Sequence, residues 1–264
     1  MSEFLLGVVQ TAIGSGIGFG LGILAFHYQQ KRQADLQSKA DWRRALGALN
    51  RLSTAAGANI EALANSKLQL IDAMRPEVEQ MKTASNDIFD IRPEDRAKKL
   101  PDLMALSESL LHFYMSLPQT SIMPPPNSIE YSSLSTDMPA LSLFVHRATG
   151  MMQELNERIV SRNSLIAEHA RELGAGAGMT GERLLYYSSM LAGEGEAISV
   201  HVDDAIDLWR LVADQVTEYM KHKAKGEPYI EYQLVPKAIE ALPKEELFPA
   251  MRAQLVTFAD CDKA

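Results

Sequence analysis

The chain opens on an uncharged run from Phe4 to Phe26, and beyond it the apolar positions recur at spacings of three and four. That period is the mark of helices with one buried face. Over 34–81, Trp42, Leu46, Leu49, Ala56, Ile60, Leu63, Leu70, Met74 and Met81 predict one long helix or a kinked pair, with Pro76 as the kink. Leu103, Leu106, Leu110, Leu111 and Tyr114 predict a second helix over 101–117, closed by Pro118. The stretch 118–137, rich in Ser, Thr and Pro and holding Pro124-Pro125-Pro126, reads as a surface loop. A third helix is predicted over 138–172, capped by Asp137 and ended by the glycines of 174–178. A fourth begins after Thr180 and is interrupted by Gly193 and Gly195, and a fifth covers 197–222. After a polar linker at 225–227 come one or two short helices from 236. Only Tyr229-Ile230-Glu231-Tyr232 hints at a strand, and no repeat is visible. The fold class is all-α: an N-terminal single transmembrane helix followed by a cytosolic helical bundle.

The membrane expectation rests on the first segment. A helix over 4–26 is roughly 34 Å long, enough for a hydrocarbon core of about 30 Å. Met1-Ser2-Glu3 lacks the basic start of a signal peptide, and no small-x-small cleavage site follows. Lys31, Arg32, Lys39, Arg43, Arg44 and Arg51 lie on the C-terminal side only. Positive flanks stay inside, which predicts a single-pass protein of a prokaryotic inner membrane, N-terminus out and C-terminal domain cytoplasmic. Residues 1–30 are then the anchor and 31–264 the helical domain, with 31–90 able to serve as a stalk. Gly14, Gly18 and Gly22 form one small-residue row; Gly16 and Gly20 form a second on roughly the opposite side. Two such rows suit close packing against two neighbours, a homo-oligomer in the bilayer. Gln10 and Thr11, one turn before Gly14, could line a polar seam between helices.

Composition narrows the function classes. The net charge of −8 argues against a broad nucleic-acid surface, although a nucleic-acid partner stays open. The single cysteine, Cys261, excludes a disulfide framework and a Cys-based zinc site. The six histidines are scattered, and His201-Val202-Asp203-Asp204 lacks metal-ligand spacing, so no metal and no cofactor is expected. The glycine-rich stretch 174–181 lacks both the preceding strand and the Lys-Ser/Thr ending of a phosphate loop.

One constellation carries chemistry. In Arg162-Asn163-Ser164-Leu165-Ile166-Ala167-Glu168-His169, Arg162 and His169 stand two helical turns apart beside the apolar stripe. This spacing resembles the Arg-polar…His signature of HEPN domains, helical bundles of which many are dimeric ribonucleases. The resemblance implies that Arg162 would bind phosphate, Asn163 would be the accompanying polar residue and His169 the acid–base group. A proton acceptor with a nearby cation is what cleavage through a 2′-hydroxyl needs. The whole layout resembles the membrane accessory proteins of RNA-targeting CRISPR systems, helical effectors of prokaryotic antiviral defence.

Three readings follow. The first is a self-associating single-pass effector that perturbs the membrane or forms a pore, with the lipid bilayer, further copies of itself and a protein of the defence system as partners. The second is a membrane-tethered HEPN-type ribonuclease built on Arg162, Asn163 and His169. The third is a non-enzymatic membrane anchor or adaptor. The balance lies against an enzyme.

Overall fold

The structure, a computed structural model, describes residues 2–174, 180–224, 226–244 and 246–255, with side chains from Phe19 onward except at Gly20. It is all-helical, and no strand occurs among the described residues. Helix α1 (Ser2–Ser66) passes through a π-helical turn, Lys67–Ile71, into α2 (Asp72–Phe89). In the wide turn the Asp72 N–H reaches back to the Lys67 carbonyl. Pro76 lies one turn on, and its ring crowds the carbonyl four residues before it, that of Asp72. Widening this turn makes room for the ring, so the helix pair stays continuous instead of kinking sharply.

Helix α3 (Pro93–Ser109) starts on Pro93 and stops earlier than the apolar spacing predicts. Residues 111–114 turn instead, because the Glu77 carboxylate accepts the N–H groups of His112 and Phe113, both at 2.7 Å. The chain then runs without regular structure to a 3-10 turn, Ser128–Leu134, opened by an Asn127–Glu130 capping box. Helices α4 (Leu141–Gly174) and α5 (Gly181–Lys223) follow, then short α6 (Pro236–Glu240) and α7 (Pro249–Arg252).

Helix α5 is the axis of the core. It is unbroken through Gly193 and Gly195, where the glycines suggested an end to a helix. The reason is packing: a Cβ on Gly195 would lie 2.6 Å from Val78 Cγ2, so glycine lets α2 come close. Around α5, Leu49, Leu52, Ile60, Leu63, Met74, Phe144 and Leu155 are all fully buried, as is Trp209 on α5 itself. Residues 229–235 lie extended along α1 without forming a strand. Ser53 and Asn50 hydrogen-bond the Ile230 backbone, and Gly57 leaves the space that the Tyr232 ring fills.

The membrane expectation is corrected. Among the described residues, no helix is long and apolar enough to cross a membrane. This overturns the single-pass inner-membrane placement with its outside N-terminus and cytoplasmic C-terminal domain. The expectations on Gln10, Thr11, Gly14, Gly16, Gly18 and Gly20 concern positions whose surroundings lie outside the described residues. Gly22 is described, and a Cβ there would meet nothing within 4 Å.

Candidate functional site

The Arg162–His169 segment lies on α4, facing the irregular chain between α3 and the 3-10 turn. Arg162 is entirely buried. Its guanidinium donates to the Met115 carbonyl at 2.7 Å and, closer still, to that of Phe113. Among the described residues no carboxylate pairs with it, and burial pushes its pKa down to about 10. It remains charged at neutral pH, with both terminal nitrogens donating to backbone oxygens and Nε buried without a partner.

Asn163 holds the next stretch with both ends of its amide. Its Oδ1 accepts from the Leu117 N–H at 3.0 Å, and its Nδ2 donates to the Leu117 carbonyl at 2.8 Å. The same two-handed grip recurs twice. Asn156 takes both backbone groups of Thr120, at 2.8 and 2.9 Å. Asn59 of α1 takes both of Met123, at 2.7 and 3.0 Å. The gripped residues are Leu117, Thr120 and Met123, three apart, which is the period of a polyproline II helix. Between them Pro118, Gln119 and Ser121 face solvent. What the sequence presents as a Ser/Pro loop is thus a strap, bound by its backbone to a groove between α1 and α4. Such segments lack internal hydrogen bonds, so side chains must supply the partners that burial demands.

His169 differs from its neighbours. It is 6% exposed, its ring stacks on Tyr114 at 5.2 Å and 13°, and Tyr187 lies 5.1 Å away on α5. Its Nδ1 is buried without a hydrogen-bond partner. Burial pushes its pKa below the usual imidazole value, with Glu172 opposing weakly, so the ring is neutral at pH 7. Glu172 itself is engaged by Arg183 and, at 2.9 Å, by the Tyr187 hydroxyl.

The structure therefore brings the three candidates together on one helix but gives them separate tasks. Arg162 and Asn163 hold the strap, and His169 stands between two tyrosines. Asn59 and Asn156 escaped sequence reasoning. The available signal was the seven-residue interval from Asn156 to Asn163, two turns along one face of α4.

No family model matches the chain. Neither does any curated protein or any solved structure. The HEPN-like resemblance thus stands on the residue spacing alone.

Elsewhere, Asp203 joins two cations. Lys67 Nζ lies 2.6 Å from its Oδ1, and an Arg75 terminal nitrogen lies 2.6 Å from its Oδ2. Lys67 also donates to the Ala241 carbonyl at 2.9 Å, which ties α6 to the π-turn. Farther along α5, buried Asp207 pairs with Arg252 and fastens α7. Among the described residues, no group of three or more His, Cys, Asp or Glu could hold a metal ion. Cys261 lies outside the described residues.

Proposed function

We propose that this chain is a non-enzymatic, self-associating helical scaffold whose contact element is the N-terminal part of α1. The observation that carries this reading is the exposure of that helix. Every described side chain from 19 to 40 is exposed, including Phe19 at 73%, Leu24 at 67% and Tyr28 at 68%. An apolar surface of this kind marks a contact that an isolated chain leaves unmade.

The apolar residues are not spread evenly. At about 100° per residue, Phe19, Ile23 and Phe26 form one ridge, and Leu21, Leu24 and Tyr28 form another on the opposite side. Within each ridge the spacings are three and four, the pattern that seats one helix against another. Two opposed ridges give each copy two neighbours, which supports assemblies larger than a dimer. The run contains no Lys, Arg, Asp or Glu up to Lys31, so identical arms meet without like-charge repulsion.

Against catalysis by the Arg162 constellation stands the geometry: a phosphate-binding cation must reach its ligand, and this guanidinium is covered and already donating to two carbonyls. Mass photometry of the full chain tests the proposal. Assemblies of three or more copies are expected, and a chain carrying both Leu24→Glu and Phe26→Glu should be a monomer. A wild-type monomer at micromolar concentration sinks the reading. So does a monomer that co-floats with phosphatidylcholine vesicles, since lipid would then be the arm's partner.

A further inference from the structure

Below the strap, a recess of about 140 Å³ opens between α3, α4 and α5, lined by Met104, Ser107, Glu108, His169, Leu173 and Leu184 among others. Its walls combine three apolar side chains with three polar ones. No hydrogen bond holds the His169 ring, whose Nδ1 is buried without a partner, whereas Arg162 donates through both terminal nitrogens and Asn163 and Glu172 are engaged.

The ring's protonation follows from its burial. A neutral imidazole carries one N–H and one lone pair. Nδ1 is sealed off with no acceptor beside it, and an orphaned N–H is the costlier defect, so the proton belongs on Nε2. With Nδ1 sealed, Nε2 is the nitrogen through which the ring can meet a ligand in the recess it lines. Tyr114 stacks on the ring and limits its tilt, so this donor is held ready.

The size sets the ligand class. An apolar cavity near 150 Å³ accommodates benzene. Glu108 disfavours an anion, and the apolar walls disfavour a strongly hydrated molecule. We propose that this recess binds a small, uncharged ring compound with one hydroxyl, the chemistry of phenol. The ring would lie against Met104, Leu173 and Leu184. Its oxygen would accept from His169 Nε2–H, and its hydroxyl would donate to Glu108 or Ser107.

The test uses the full chain with ¹⁵N-labelled histidine and follows the His169 ring signals by NMR while phenol is added. Saturable shifts are expected, with a Kd about fivefold to tenfold below that of benzene, the worth of one hydrogen bond. His169→Phe, which carries no probe and is therefore titrated by calorimetry alongside wild type, should bring phenol down to the benzene level. Met104→Trp, at a half-exposed position on the rim, should block both compounds without disturbing the core. The proposal is overturned if phenol leaves His169 unshifted at about a hundredfold molar excess, if benzene binds as well as phenol, or if Met104→Trp binds phenol as wild type does.

Discussion

The two halves of helix α1 are one continuous rod with opposite fates. Over 45–63, Ala45, Ala48, Leu49, Leu52, Ala56, Ile60 and Leu63 make a single stripe, buried to 7% exposure or less against the rest of the body. Over 19–40 the same helix leaves the body and every described side chain is exposed. The body half alternates alanines with leucines, which lets neighbouring helices approach, and residues 229–235 cover part of its other side, so that over 45–63 only Arg51 is exposed. The arm half carries apolar ridges on two opposite sides. The chain itself covers the body half; the two ridges of the arm call for other molecules.

The sharpest way to break this comparison is to put a charge on the arm. Leu24→Glu with Phe26→Glu should abolish assembly while the thermal midpoint of the body stays within about 2 °C, since exposed positions alter stability little. Mass photometry with calorimetry reads both. If instead the body melts early, the arm is part of the core after all. The single variants refine the point: should the two ridges meet head-to-tail, each alone gives monomers, and mixing the two restores dimers.

Next in size are changes within the body. Arg162→Met leaves the Phe113 and Met115 carbonyls without their donor, at a cost of about 2–4 kcal/mol in urea unfolding. Assembly through the arm should survive at temperatures where the fold persists. Asn156→Ala removes one of the three grips on the strap and should cost about 1–3 kcal/mol, with faster amide exchange confined to residues around Thr120. Uniform exchange along the strap would mean that the grips do not act separately.

The smallest effect is a pH dependence. His169 has a lowered pKa in the folded chain, so on acidification the unfolded chain binds the proton first. Stability is therefore lost as pH falls through the unfolded imidazole range, near 6.5, toward the lower folded value. Between pH 7.5 and 5.5 the melting temperature of wild type should drop more than that of His169→Phe. Equal slopes would assign the dependence to other groups.

The all-helical class was legible because periodicity of three and four reports burial directly. The long third helix was legible for the same reason, Leu141, Phe144, Val145, Ala148, Met152, Leu155 and Ile159 all being buried. Gly193 and Gly195 misled because local propensity counts glycine as a breaker, whereas the Val78 contact rewards it. The uncharged N-terminal run was read as a membrane span; among the described residues no helix meets that need. Arg162 and His169 were placed beside the apolar stripe, and both are buried there.

The sequence by itself determined the helical class and the buried stripes of the long helices, since local spacing reports the exclusion of apolar groups from water. It did not determine every boundary or face: α3 ends at Ser109, and Leu111, expected inward, is 79% exposed. Tertiary structure alone decided what the polar residues do. Asn59 and Asn156 are separated by nearly a hundred positions yet grip backbone groups three residues apart, and Asp203 meets Lys67 and Arg75 from a distant helix. A hydrogen bond needs partners within about 3 Å. No spacing along one helix can say which backbone group from elsewhere in the chain will arrive there.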